Sequence, residues 1–120
     1  MIDTTLSPEQ IAARLGKLTA SRIADATAKT KTGHGASRAN YMAELLVERI
    51  TGVPTERYVS KEMIWGIETE AQARAAYSFF NEAVAPAGFV AHPSIGMSGA
   101  SPDGFVGSAG LIEIKCPNTA

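Results

Sequence analysis

Apolar and polar positions follow a helical period through the first two thirds of the chain and lose that period after Gly88. The stretch SPEQIAARLG predicts a short helix, with Ser7 as the N-cap and Pro8 as the first helical residue. Gln10 completes a capping box, and Gly16 is placed to end the helix. We therefore expect the fold to open with a helix.

Three further helices are predicted in the same way. They cover TASRIADATA, RANYMAELLVERITG and roughly residues 61–84, with Thr19 or Ser21, Ser37 and Ser60 as the expected N-caps. In the middle one, helical spacing puts Tyr41, Leu45 and Leu46 toward the core. A proline shortly after residue 84 prevents the last helix from continuing.

The segment from Gly88 onward is rich in Gly, Ser and Pro with short apolar runs, which favours two consecutive hairpins. The second hairpin joins FVG to LIEIKC through Ser108–Gly110, and Pro117 ends its last strand. Helices followed by antiparallel strands indicate an α+β (mixed α/β) fold. The final NTA adds no strand or helix after the most polar strand, so we expect an incomplete sheet and a chain that is truncated at its C-terminus.

Composition and charge limit the possible classes of protein but do not identify the function. A chain of 120 residues with 45% hydrophobic residues supports one packed domain. The net charge of −1 excludes a global basic field, although residues 1–61 hold nine Lys and Arg against six Asp and Glu, and residues 62–120 hold two against six. Such an asymmetry fits a metal site facing an anionic substrate, and it also fits an ordinary mixed surface. No membrane-spanning run or signal peptide is present, so a cytoplasmic location is expected.

The end of the chain brings two acids and a base together. On a strand, alternate residues share a face, so Glu113 and Lys115 project together. The hairpin would carry Asp103 toward the same strand end. Asp103, Glu113 and the Ile114 carbonyl are hard oxygen ligands of the kind that Mg²⁺ binds, and Lys115 can orient a metal-bound water. The competing interpretation is an exposed surface ion pair, which the apolar frame of Leu111, Ile112 and Ile114 makes less favoured because it indicates a central strand.

Other titratable groups form weaker patterns. His34 lies in a polar loop with several basic neighbours and can contact a DNA backbone, or simply be solvated. His92 precedes a proline in a predicted strand. A single cysteine, Cys116, excludes a cysteine-rich zinc site or an internal disulfide from this chain alone, and its position on the core face disfavours a thiol nucleophile.

The segments ARLGKLTAS, IWGIETEAQAR, GASPDGF and LIEIKCP together resemble the phage lambda exonuclease/YqaJ-type viral recombinase nucleases of the PD-(D/E)xK superfamily. The blocks stand in the family's order over most of residues 12–117. The resemblance implies a restriction-endonuclease-like core. It also implies that residues 1–120 form a single exonuclease-like domain, the N-terminal part of a larger nuclease domain. An aromatic residue that some members carry before the first block is absent here.

Several roles come from this resemblance only. It implies that Glu70, in a WGxxxE block, joins the metal site. It also implies a pocket for a DNA 5′-phosphate built from Arg14, Ser21 and Ser101. Catalysis would then rest on Asp103, Glu113, Glu70 and Lys115, with Asp103, Glu113, Glu70 and the Ile114 carbonyl as the metal ligands.

The expected function is a Mg²⁺- or Mn²⁺-dependent deoxyribonuclease that digests duplex DNA ends from 5′ to 3′. The resemblance further implies a ring-shaped trimer, a single-strand annealing protein as partner, and a phage or prophage origin in a bacterial host. Two alternatives stay open. One is a resolvase- or restriction-type endonuclease on the same core, and the other is a truncated module that binds DNA or a partner without catalysis.

Overall fold

The computed structural model describes residues 7–117, and within that range it has a mixed α+β architecture. The predicted fold class is therefore confirmed. Segments 1–6 and 118–120, which include the start MIDTTL and the end NTA, lie outside the described residues. Among the described helices, none is long and apolar enough to cross a membrane.

The described chain divides into two compact units. One contains the residues up to Thr55 together with Phe89–Ser101, and we call it the helical unit. The other contains Glu56–Gly88 and the residues from Pro102 onward, and we call it the hairpin unit. The prediction of one exonuclease-like domain over residues 1–120 stays a prediction.

The helical unit contains three α-helices, a 3-10 helix and five strands within its described residues. Its helices are α1 (Pro8–Arg14), α2 (Ile23–Ala26) and α3 (Ala36–Thr51), and the 3-10 helix is Ala20–Arg22. Its strands are β1 (Leu18–Thr19), β2 (Lys29–Thr30), β3 (Gly33–His34), β5 (Val90–Ala91) and β6 (Ser98–Ala100).

The N-terminal helix forms as its sequence predicts. The Ser7 hydroxyl accepts from the Gln10 N–H at 3.2 Å, and the Gln10 side chain accepts from the Ser7 N–H at 3.1 Å, which completes the capping box. Gly16 follows the helix with a φ of +66°, a left-handed conformation that glycine adopts without strain. A side chain at this position would also collide with Arg49.

The sheet of the helical unit has the order β1-β6-β5. Strand β6 pairs antiparallel with β5, as the first predicted hairpin requires, and parallel with β1, which the sequence did not indicate. Strands β2 and β3 form a separate small hairpin within the segment expected to be a polar loop.

The hairpin unit consists of one long helix and a three-stranded antiparallel sheet. The helix is α4 (Lys61–Phe80), and the strands are β4 (Val84–Ala85), β7 (Gly104–Val106) and β8 (Gly110–Ile112) in the order β4-β7-β8. The Ser60 hydroxyl accepts from the Met63 N–H at 3.2 Å, so Ser60 is the N-cap, as predicted. Residues Gly107–Ala109 connect β7 to β8 in the second predicted hairpin.

Helix boundaries differ from the prediction at α3 and at α4. Helix α3 begins at Ala36 with Gly35 as N-cap, so the predicted cap Ser37 lies inside the first turn. The Gly35 N–H donates to the Ala28 carbonyl at 2.8 Å, which fixes this earlier start. Helix α4 ends at Phe80, four residues before the predicted end, and the backbone at Asn81 is no longer helical (φ −135°, ψ −145°).

The last strand is also shorter than predicted. Only Gly110–Ile112 of the LIEIKC region pairs with β7, and the following residues continue without a ladder. Within the described residues β8 lies at the edge of its sheet, beside β7. The central-strand expectation stays a prediction. The alternation of exposure nevertheless persists: Glu113 and Lys115 are exposed, whereas Ile114 and Cys116 are half-buried.

The core of the helical unit centres on Tyr41, which is 3% exposed. Its hydroxyl accepts a hydrogen bond from the Thr19 N–H of β1 at 3.1 Å, and the Arg22 guanidinium lies 4.3 Å from its ring centroid. Leu45 is half-buried, but Leu46 is exposed, so only part of the predicted inner face of α3 is covered in this chain.

Candidate active site

Asp103 is placed by the register of the β7–β8 hairpin. Gly104 pairs with Ile112, and continuing this antiparallel register by one residue sets Asp103 opposite Glu113. The Asp103 Oδ2 accepts a hydrogen bond from the Ile114 N–H at 2.7 Å. The carboxylate therefore faces the backbone between Glu113 and Lys115.

Glu113 and Lys115 form an ion pair on the exposed side of this segment. The Lys115 Nζ lies 2.7 Å from the Glu113 Oε1, with the two side chains 80% and 62% exposed. The hydrogen bond to Glu113 raises the pKa of Lys115, with smaller contributions from the charges of Asp103 and Glu70. This exposure matches the interpretation as a surface ion pair. The nearby Asp103 is a third charged group beside Glu113 and Lys115.

Glu70 lies on α4 and its carboxylate is next to that of Asp103. Burial raises the pKa of Glu70, and the negative charge of Asp103 raises it further, while Arg74 acts in the opposite direction. Gly66, one turn earlier, lies near the Cys116 carbonyl oxygen, which would be 3.8 Å from a Cβ added at Gly66. The helix and the end of the last hairpin are thus neighbours within the hairpin unit.

Arg74 is the residue of this group that the sequence analysis missed. Its Nη2 donates to the Glu70 Oε1 at 2.5 Å, and its Nε donates to the Asp103 carbonyl oxygen at 3.1 Å. The spacing of four between Glu70 and Arg74 on a predicted helix was the available signal, since residues at i and i+4 share a helix face.

The donor set suits a hard divalent cation in its chemistry. Two partly buried carboxylates of like charge, those of Glu70 and Asp103, lie beside each other, and a cation between them would relieve the repulsion that raises the pKa of Glu70. The carboxylate of Glu113 is turned to Lys115 instead. Accordingly, the part of the chain that is described contains no ready-made group of three or more His, Cys, Asp or Glu side chains around a common point.

The residues expected to bind a 5′-phosphate lie in the helical unit. The Arg14 Nη1 donates to the Ser101 Oγ at 2.7 Å. Thr19 pairs with Gly99 in the parallel β1–β6 ladder, and Ser21 and Ser101 each follow two residues later. Because the two strands are parallel, Ser21 and Ser101 both lie just beyond the same end of the β1–β6 ladder.

Ser21 lies in the 3-10 helix, next to the buried Thr19 that precedes this helix. Its hydroxyl lies 3.1 Å from that of Thr19, which is 5% exposed. Of the two predicted caps, Thr19 and Ser21, the structure has Thr19 as the N-cap residue of the 3-10 helix, although its side chain makes no capping bond.

The lesser candidates serve local structure. The His92 Nδ1 accepts from the Ser94 and Ile95 N–H groups at 3.1 and 2.9 Å, so this ring closes the β5–β6 turn. His34 is exposed on β3, opposite Lys29. Cys116 is a half-buried free thiol.

The chain belongs to the YqaJ-like viral recombinase domain family, whose model matches residues 10–120. The fold is similar to that of an alkaline exonuclease, LHK-Exo from Laribacter hongkongensis, at 52% identity and a TM-score of 0.78, covering 94% of this chain and 55% of that one.

A crystal structure of LHK-Exo in complex with dAMP is similar to the same degree. It shares 52% identity with a TM-score of 0.79 and covers 93% of this chain and 54% of the LHK-Exo chain. The present chain therefore spans about half the length of the exonuclease chains that it matches. A comparison with curated proteins gave no match.

Proposed function

We propose that this chain belongs to a metal-dependent exodeoxyribonuclease that digests duplex DNA from 5′ ends. The observation that carries the proposal is the 2.7 Å hydrogen bond from the Ile114 N–H to the Asp103 Oδ2, which puts the carboxylate at the Glu113–Lys115 segment. Membership of the viral recombinase family and the likeness to an alkaline exonuclease support the same activity.

Asp103 and Glu70 are the residues that would hold the metal, joined by the Ile114 carbonyl and by Glu113 once its side chain leaves Lys115. Their oxygen atoms suit Mg²⁺ or Mn²⁺. When bound, such an ion would offset the charge on the scissile phosphate and lower the pKa of a coordinated water.

Lys115 would then position and stabilise charge. Its ammonium group has three donors on a flexible stem, and 80% of its side chain is exposed, so it can reach a water molecule or a phosphate oxygen beside Glu113. A donor held where negative charge grows in the transition state accelerates hydrolysis more than it strengthens binding of the substrate.

Arg14, Ser101 and Ser21 are proposed to bind the 5′-phosphate that marks the end to be digested. A guanidinium beside a hydroxyl, as in the 2.7 Å contact of Arg14 with Ser101, supplies donors suited to phosphate oxygens. LHK-Exo has been crystallised with dAMP, a nucleoside monophosphate, which is the product class expected of an exonuclease that releases single nucleotides.

DNA is the proposed substrate, and the wider assembly follows the family. A ring-shaped trimer, a single-strand annealing partner and a location in the bacterial cytoplasm stay predictions. Because the chain spans about half the length of LHK-Exo, the activity is proposed for the protein that contains it.

The proposal is tested with three DNA substrates of equal sequence, in Mg²⁺ and in chelator. In Mg²⁺, linear duplex with 5′-phosphates should be degraded to mononucleotides, and linear duplex with 5′-hydroxyls should be degraded more slowly. Covalently closed circles should stay intact, and no substrate should be degraded in chelator. Cutting of closed circles would favour the endonuclease alternative. Calorimetry with Mn²⁺ gives the third outcome, since a non-catalytic binding module would show neither cleavage nor a saturable metal site.

A further inference from the structure

Arg74 joins the two carboxylate-bearing segments of the candidate metal site. Glu70 belongs to the helix α4, whereas Asp103 precedes the strand β7, 33 positions later in the chain. The guanidinium contacts both, through the Nη2 to the Glu70 Oε1 at 2.5 Å and through the Nε to the Asp103 carbonyl at 3.1 Å.

The planar guanidinium of Arg74 holds its two acceptors at a fixed separation in addition to bonding to each of them. The Nε–H and one Nη2–H group point in parallel from a single rigid edge of the group, so they fix the relative positions of the two acceptors. A lysine ammonium at the same place would be a point charge on a flexible stem and would not hold two acceptors in one plane.

The positive charge of Arg74 also favours the close approach of Glu70 and Asp103. Residues 62–120 contain only two Lys or Arg residues, Arg74 and Lys115, and both lie at this cluster of acids. The side chains of Arg74 and Glu70 are 33% and 28% exposed, so salt screens their interaction less than it would at an open surface. A cation held there offsets the repulsion between Glu70 and Asp103 before any metal arrives.

We propose that Arg74 is a positioning residue that sets the separation of Glu70 and Asp103 for a divalent cation, an inference that rests on the proposed function. It acts through the ligands and does not touch the DNA. Loss of Arg74 therefore weakens metal binding and lowers kcat while leaving KM for DNA ends near its wild-type value.

The test compares Arg74→Met and Arg74→Lys with a matched control, Lys61→Met. Lys61 is exposed at the first residue of α4, roughly 20 Å from Arg74 along the helix axis. Calorimetric titration with Mn²⁺ in the absence of DNA gives the dissociation constant directly. We expect it to rise about 10- to 100-fold in Arg74→Met, as for other residues that orient metal ligands. Arg74→Lys should also bind Mn²⁺ more weakly, and Lys61→Met should match wild type.

A second measurement separates positioning from general stability. Amide hydrogen exchange at Ile114, whose N–H donates to Asp103, should accelerate in both Arg74 variants without metal, while thermal midpoints stay close to wild type. If Arg74→Met does not fold, the Arg74→Lys variant decides the question on the same two readouts. A variant that unfolds more easily but binds Mn²⁺ with wild-type affinity would overturn the inference.

The outcomes also separate this inference from the proposed function. Saturable Mn²⁺ binding and cleavage by the wild type, with unchanged Mn²⁺ affinity in both Arg74 variants, would remove the role of Arg74 and leave the nuclease proposal standing. Absence of any saturable site in the wild type would overturn both.

Discussion

The Asp103 carboxylate accepts a hydrogen bond from the Ile114 N–H at 2.7 Å, so one side chain both ties the β7–β8 hairpin and serves as the first proposed metal ligand. These two roles are separable, because only one of them needs a negative charge. The amide oxygen of asparagine can still accept from Ile114, whereas it is a much weaker ligand for a divalent cation.

Replacement of Asp103 should therefore affect stability and activity differently in two variants. Asp103→Ala should lower the free energy of unfolding by about 1.5–3 kcal/mol, the usual range for a hydrogen bond to a charged group. Asp103→Asn should unfold close to wild type, and both should lose cleavage by about a thousandfold or more. Denaturant melts and a digestion assay check this, and retained cleavage by Asp103→Asn would contradict it.

Lys115 should show the opposite combination, with a large effect on activity and none on stability. Its side chain is 80% exposed, and its ion pair with Glu113 is open to solvent. Lys115→Ala should leave the thermal midpoint unchanged and reduce kcat far more than it raises KM for DNA. Lys61→Ala, which removes another exposed ammonium from the same unit, is the control. An equal loss of activity in the two variants would point to a general effect of charge.

The sequence predicted what neighbouring residues decide. The capping box of Ser7 and Gln10 and the Ser60 cap follow from side chains within three positions, and the structure has both. The approach of Asp103 to the Glu113 segment follows from one short hairpin, so its register could also be read locally. Expectations failed where distant partners decide, as at Gly35, which the Ala28 carbonyl makes the N-cap of α3.

In the candidate site, too, features decided by distant partners could not be predicted from neighbouring residues. The parallel pairing of β1 with β6 joins Leu18 to Ser98, a contact that no local pattern indicates. The contact of Arg14 with Ser101 spans 87 positions, and that of Arg74 with Asp103 spans 29. The sequence singled out Arg14 and Ser101 only through family resemblance. It did not single out Arg74, because the spacing of four from Glu70 indicates a shared helix face but not the bond to the distant Asp103 carbonyl.

Arg14 should determine the preference for phosphorylated ends. Removing its guanidinium takes away a charged donor from the proposed phosphate site, so Arg14→Ala should reduce the ratio of kcat/KM for 5′-phosphate over 5′-hydroxyl ends about 10- to 100-fold. Lys17→Ala is the matched control, because Lys17 is a cation of the same unit whose ammonium lies over the Phe89 ring, 5.3 Å from its centroid. An unchanged end preference in Arg14→Ala would show that the phosphate is recognised elsewhere.

Glu70 should make the metal-free protein less stable as pH rises. Burial and the charge of Asp103 raise the pKa of Glu70 in the folded state above the ordinary value of 4.5. Between the unfolded and folded pKa values the native state binds more protons, so the free energy of unfolding falls as pH increases through that window and stays lower above it. Denaturant melts in chelator from pH 4 upward should show this fall in wild type and a smaller one in Glu70→Gln. Identical pH profiles for the two proteins would contradict the assignment.

Glu48 should couple the stability of the helical unit to phosphate recognition. Its carboxylate is 8% exposed and accepts from the Gly16 N–H at 2.9 Å and from the Thr55 hydroxyl at 2.7 Å. Gly16 follows α1, whose last residue is Arg14, so this bond fixes the direction in which the helix ends. Glu48→Ala leaves a buried N–H unpaired and should cost about 1–3 kcal/mol of the free energy of unfolding.

The same substitution should weaken the end preference without changing metal binding, because the proposed metal ligands lie in the hairpin unit. Glu48→Gln, which keeps an oxygen for Gly16, should retain most of the stability and most of the preference for 5′-phosphates. Denaturant melts, Mn²⁺ titration and the ratio of rates on phosphorylated and hydroxylated ends measure the three effects separately. If Glu48→Ala loses stability but keeps the full preference, then Arg14 is oriented by its own contact with Ser101 and not by the turn at Gly16.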